Sequence, residues 1–125
     1  MSDEQINDLT ENIINCACSI YGQLGPGYRP NTYEDVFTHE LMKKKLNFSN
    51  DSTVKVNYNG LELASQSVDM IVENKIAVDL KNSPAIARLH EQQMQTYLRI
   101  SGKPAGLILN FGGEKLEIKK VVNRK

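Results

Sequence analysis

The sequence predicts an α/β domain whose elements run helix, helix, three strands, helix, two strands (ααβββαββ). Three observations carry that prediction. Apolar residues recur at helical spacing through the first two dozen positions; two hairpin signals punctuate residues 54–81; and a nearly unbroken apolar run, residues 106–111, follows a segment bounded by Ser83-Pro84 and Gly102. At 125 residues the chain suffices for one sheet with helices packed against it, so a single domain over residues 1–125 is expected.

Ile6, Leu9, Ile13, Cys16, Ile20 and Leu24 recur every three or four residues, which predicts an amphipathic helix ending at the glycines that follow. Gly25-Pro26-Gly27-Tyr28-Arg29-Pro30 breaks the pattern and reads as a loop. Asn31 with Glu34 three residues later resembles a capping box, and Tyr33, Val36, Phe37 and Leu41 give a second helix its apolar stripe. Lys43-Lys44-Lys45 closes it as a solvated helix end. Val54, Val56 and Tyr58 then alternate with polar residues up to Asn59-Gly60, the strongest hairpin turn signal in the chain.

The returning strand, residues 61–72, is long, and Ala64-Ser65-Gln66 within it marks a bulge. After the loop Glu73-Asn74-Lys75, residues 76–81 form the third strand. Ser83 and Pro84 open a third helix whose apolar side carries Ile86, Leu89, Gln93 and Tyr97, and Gly102 with Pro104 stops it. Residues 106–111 read as a buried strand, Gly112-Gly113 as a turn, and the last stretch, with Leu116, Ile118 and Val121, as an edge strand.

The chemistry lies in the middle hairpin. If Val72 pairs with Ile76, Met70 falls opposite Val78 and Asp69 opposite Asp79. Alternation then sorts Val68, Met70, Val72, Ile76, Val78 and Leu80 onto a core face. The other face receives Ser67, Asp69, Ile71, Ala77, Asp79 and Lys81. Two carboxylates facing each other repel, so a positive partner is expected between them. Hard cations such as Mg²⁺ bind one or two carboxylates and keep several waters, and Lys81 shares the face. Such a set suits metal-assisted attack on a phosphodiester, although the same residues on an open sheet face also make an ordinary solvated ion cluster.

Lysine plus arginine equals aspartate plus glutamate, fifteen of each, so any nucleic-acid surface must come from local clustering. Cys16 and Cys18 lie two apart on a helix and suit neither a disulfide nor a zinc site; His39 and His90 lack partners at metal-ligand spacing. With no apolar leader and no run of membrane-spanning length, the expectation is an intracellular protein, cytoplasmic or nucleoid-associated, with no membrane partner.

Gly25-Pro26-Gly27 with Tyr33-Glu34, Val68-Asp69, Asp79-Leu80-Lys81, Gln93 with Tyr97-Leu98, and Gly106-Leu107-Ile108-Leu109-Asn110-Phe111-Gly112 follow one another as they do in the GxxExxY family of the PD-(D/E)xK nuclease superfamily, which the chain resembles from about Ile6 to Val122. The resemblance implies a restriction-endonuclease-like core with a central mixed sheet, a metal site at a splayed hairpin, Asp69 and Asp79 as ligands of Mg²⁺ or Mn²⁺, and Lys81 as the catalytic lysine. Gln93 and Tyr97 would support the site, and DNA would be the substrate.

One position departs from the family pattern. Proline, Pro30, stands where the family glutamate belongs, and Glu34 lies one helical turn later as its only near substitute. Two functions therefore stand side by side. The first is a metal-dependent deoxyribonuclease with an impaired site. The second is an inactive nuclease-fold module that binds nucleic acid or assembles into an oligomer, for which an edge strand at residues 115–122 offers a route.

Overall fold

A computed structural model describes residues 2–124. The order is α1 (Asp3–Leu24), α2 (Pro30–Lys43), β1 (Phe48–Tyr58), β2 (Leu61–Val72), β3 (Ile76–Lys81), α3 (Arg88–Ser101), β4 (Ala105–Asn110) and β5 (Glu117–Val122). The predicted ααβββαββ sequence of elements is therefore present. The five strands form one sheet in the order β1-β2-β3-β4-β5, antiparallel throughout except for β3 and β4, which run parallel. That pair needs a crossover, and α3 supplies it. The result is a mixed sheet whose central strands are covered on both faces, while the turn end of the β1–β2 hairpin stays exposed.

On one face α1 and α2 bury Ile13, Ile20, Tyr33, Phe37 and Leu41 against Met70, Val72, Ile76, Val78 and Leu109. On the other, Met94, Tyr97 and Leu98 of α3 cover Val68, Ile71, Ala77, Ile108 and Val121. The face expected to be mixed is so: Ile71 and Ala77 join this second core, while Ser67, Asp79 and Lys81 line a polar cleft beyond it. Val68 changes sides, because it packs with Ile71 and not with Met70. Alternation fails at one point: Asp51 has φ 49°, and the β1–β2 pairing passes from Asn50↔Met70 to Ser52↔Val68 with the intervening Asp51 and Asp69 unpaired. The break in alternation on β2 falls at the unpaired Asp69, between Met70 and Val68, opposite the left-handed Asp51 of β1.

Local chemistry explains the turns. Asn59 and Gly60 both have positive φ, 51° and 87°, as a tight two-residue hairpin requires. Glu73 and Asn74 do the same between β2 and β3, at 52° and 56°. The bulge expected near Ala64-Ser65-Gln66 is present: β1 partners jump from Thr53↔Ser67 to Lys55↔Ala64. β1 itself begins at Phe48, six residues before its apolar alternation, because β2 recruits the polar stretch Asn50–Thr53 as an edge.

Two helix starts differ from expectation. α2 opens at Pro30, with Arg29 as an N-cap that makes no side-chain bond, so Asn31 and Glu34 form no capping box and Glu34 is not tied to its own helix end. α3 opens at Arg88, not Pro84, and its exposed side carries Leu89 and Gln93. The cause is competition for backbone groups. Asn110 Oδ1 accepts from the Ser83 N–H (3.1 Å), Asn110 Nδ2 donates to the Ser83 carbonyl (2.9 Å), and Glu117 Oε1 accepts from the Ile86 N–H (2.8 Å). Residues held that way have no backbone left for a helical turn.

Aromatic residues tie the early loop to the end of β4. Tyr33 stacks on Phe111 with ring centres 4.5 Å apart, and its hydroxyl donates to the Gly25 carbonyl at 2.6 Å. Gly112 follows against the backbone of Asn82 and Ser83, where a Cβ would meet the Ser83 nitrogen at 2.5 Å. Gly112→Ala is expected to cost about 2 kcal/mol, since backbone must move to admit the methyl. A shift in the urea midpoint at constant m-value measures it.

Candidate active site

β2 and β3 pair as the sequence foretells from Val72↔Ile76 through Met70↔Val78, and there the ladder stops. β3 stays with β4 through Lys81↔Asn110, whereas β2 continues beside β1. The hairpin therefore splays at Asp69 and Asp79. Their side chains fill the gap: Asp79 Oδ1 accepts from the Asp69 backbone N–H (3.0 Å), and Asp69 Oδ2 accepts from the Leu80 N–H (2.7 Å). This reciprocal clasp replaces two ladder bonds and holds both carboxylates at the mouth of the opening.

One oxygen of each aspartate remains outside the clasp. Asp79 Oδ2 lies 3.5 Å from Lys81 Nζ, with both side chains largely buried. Asp69 is only partly exposed, and its carboxyl is pushed above the usual range: burial raises it most, the Leu80 N–H opposes, the Asp79 charge raises it further, Lys81 opposes, and Asp51 adds a last upward push. Glu34 is raised too, by burial first and then by Asp69, Asp51 and Asp35. Several carboxylates thus raise one another here, and Lys81 is the cation that offsets them at Asp69 and Asp79. Among the described residues no group of three His, Cys, Asp or Glu stands close enough to hold a metal by itself, so any ion here would keep several waters.

A cleft of about 250 Å³ opens beside the clasp, lined by Ser65, Gln66, Ser67, Asp79, Lys81 and Gln93 among others. The bulge in β2 delivers the first three, and the crossover helix delivers Gln93. Asp79, Lys81 and Gln93 thereby share the cleft, whereas Asp69 does not line it and joins the group only through its clasp with Asp79; Glu34 comes within electrostatic reach of Asp69. Tyr97 is not part of the group. Its buried hydroxyl shares a hydrogen bond of 2.8 Å with Ser52 Oγ, so it serves the packing of α3 on β1.

Asn110 holds the chain beside the site without entering it. It is wholly buried, and through Ser83 it fixes the chain just beyond Lys81. A lone asparagine inside an apolar strand is its signal in the sequence.

A parallel strand pair joined by a helix, a hairpin splayed over two aspartates, and a lysine beside them define a nuclease-like α/β fold. The chain belongs to the PD-(D/E)XK nuclease superfamily, whose family model matches residues 7–121. Among solved structures it is similar to the crystal structure of SSO0001, at 18% identity and a TM-score of 0.51, over 78% of this chain and 55% of that one. The chain thus spans about half the length of that protein, and the likeness concerns the fold. No curated protein matches the sequence. Among the described residues no helix is long and apolar enough to cross a membrane.

Proposed function

We propose that the protein is a divalent-metal-dependent nuclease of the GxxExxY type that hydrolyses DNA phosphodiesters. The observation supporting it best is the splayed hairpin, which leaves one oxygen each of Asp69 and Asp79 outside the clasp and puts Lys81 Nζ 3.5 Å from one of them. Asp69 and Asp79 would hold Mg²⁺ or Mn²⁺, and the ion when bound would polarise the phosphate and acidify a water. Lys81 offsets negative charge gathering on the phosphate, and Gln93 offers its amide to a phosphate oxygen in the cleft. Glu34 takes over, from one turn later, the acidic position that Pro30 vacates; its raised carboxyl, driven partly by Asp69, supports that assignment.

A second reading rests on the same hydrogen bonds. One oxygen of each aspartate already satisfies a backbone N–H, which a purely structural clasp would also do. The fold would then serve as a non-catalytic module that binds nucleic acid or associates with its own copies. β5 is an edge of the sheet, though Lys119 and Lys120 on it discourage pairing.

Cleavage of duplex, branched and single-stranded DNA in Mn²⁺, by the wild type and by Asp79→Ala and Lys81→Ala, separates the two. Activity confined to the wild type supports the nuclease. Equal activity in all three marks a contaminant, and none in any, combined with a stable oligomer by light scattering or a DNA complex, supports the module.

A further inference from the structure

On the far flank of α3 from the cleft, a groove of about 550 Å³ runs between α3 and β5. Arg88, Gln92, Gln95 and Arg99 line it at spacings of four, three and four, which is one stripe of a helix, and at 1.5 Å per residue that stripe is about 16 Å long. Gln95 fixes the opposite wall: its Nε2 donates to the Val122 carbonyl (3.1 Å) and its Oε1 accepts from the Arg124 N–H (3.2 Å). Arg124 therefore lies along the groove as a third arginine.

The charge in the groove is unbalanced. Glu91 is matched by Lys119 at 3.6 Å, and Lys120 is drawn to Asn7 (3.0 Å) on α1. Among the described residues no carboxylate forms an ion pair with Arg88, Arg99 or Arg124, and all three are exposed. In a chain with no net charge, three uncompensated arginines along one groove, two on the helix stripe and one on the facing wall, are a local excess. Guanidinium groups at the two ends of the stripe and on the facing wall, with the neutral Gln92 amide between, suit a run of phosphates, whose oxygens accept from both.

Position decides between a phosphodiester backbone and an acidic protein segment. The groove and the cleft holding Asp79 and Lys81 are both on the face of the sheet covered by α3, separated by the helix itself; Gln92 lines one and Gln93 the other. A polymer held in the cleft has only a helix diameter, about 10 Å, to cross before meeting the arginines. We infer that the α3–β5 groove is a phosphate-backbone track that anchors the nucleic acid beside the cleft. The choice of nucleic acid as occupant rests on the nuclease reading; the anion-binding character of the groove does not.

The test is fluorescence anisotropy of a labelled DNA duplex in EDTA, where metal-dependent cleavage is absent. Arg88→Ala/Arg99→Ala is compared with Lys43→Ala/Lys44→Ala, which removes equal charge from α2 on the opposite face. The arginine variant is expected to bind about tenfold more weakly and to flatten the slope of log K against log salt by roughly 2, while the lysine variant binds like wild type. Absence of wild-type binding, equal losses in the two variants, or an unchanged slope overturns the track. If the arginine-dependent binding is found but the wild type does not cleave DNA in Mn²⁺, the track stands and the nuclease falls. Cleavage by a wild type whose binding ignores the arginines gives the reverse.

Discussion

Asp69→Asn is expected to raise the thermal midpoint of the metal-free protein at neutral pH and to lower Mn²⁺-dependent cleavage roughly a thousandfold, about 4 kcal/mol of transition-state stabilisation. The opposite signs come from one cause. Burial, helped by Asp79 and Asp51, holds the Asp69 carboxyl above its ordinary range despite the Leu80 N–H and Lys81. The folded chain therefore keeps this proton at a pH where the unfolded chain, with a value near ~3.9, has already released it. Wherever the folded state binds more protons, stability falls as pH rises; the loss accumulates from the unfolded value up to the raised folded one and is complete above it. Glu34 adds a fall of the same sign.

Asparagine keeps an acceptor for the Leu80 N–H and never ionises, so the variant escapes the Asp69 part of that loss. Midpoints measured between about pH 4 and pH 8 should show the wild type falling more steeply, with the gap widest at the upper end. Mn²⁺ should raise the midpoint of the wild type, because an ion that binds only the folded state stabilises it, and should leave the variant nearly unmoved. A variant less stable than wild type at neutral pH would show that the Leu80 hydrogen bond to a full carboxylate outweighs the cost of burying its charge. In that case the clasp is a structural feature, and the second reading gains.

The sequence makes the register of this hairpin legible because three polar residues between two apolar runs leave a single pairing that keeps Met70, Val72, Ile76 and Val78 on one face. It does not reveal where the ladder ends. That depends on β2 following β1 while β3 follows β4, a contest among four strands that no local pattern records. Strict alternation places Val68 on the wrong face because it has no way to record the irregularity at Asp69, where the β1–β2 pairing skips a residue on each strand. The start of α3 is not legible because Ser83-Pro84 has the right local chemistry for a helix opening, yet Asn110 and Glu117, both remote in sequence, take the backbone groups of Ser83 and Ile86 first. Local signals fixed element types, and distant side chains moved their ends.

Asn110→Ala is expected to be the most damaging single substitution for stability, at about 3–5 kcal/mol. The side chain is wholly buried and makes four hydrogen bonds: Oδ1 accepts from the N–H groups of Ser83 and Gly112, both at 3.1 Å, and Nδ2 donates to the Ser83 carbonyl at 2.9 Å and to Glu117 Oε1 at 3.4 Å. Each buried group left without a partner costs on the order of 1–3 kcal/mol, and the void left by the amide adds to it. Water reaches some of the orphans, which keeps the total below the simple sum. Asn110→Asp tells hydrogen bonding from packing, since the shape is nearly unchanged while both donors are lost and a charge is brought against Glu117. It should destabilise at least as much as alanine by chemical denaturation. A near-neutral aspartate would mean that filling the space is what matters. The Phe111 N–H also donates to the Lys81 carbonyl at 2.9 Å, so the two sides of this junction bracket Lys81. Cleavage by the folded fraction of either variant should accordingly fall as well, with DNA affinity in EDTA unchanged, because the lysine loses its setting while the α3–β5 groove keeps its arginines.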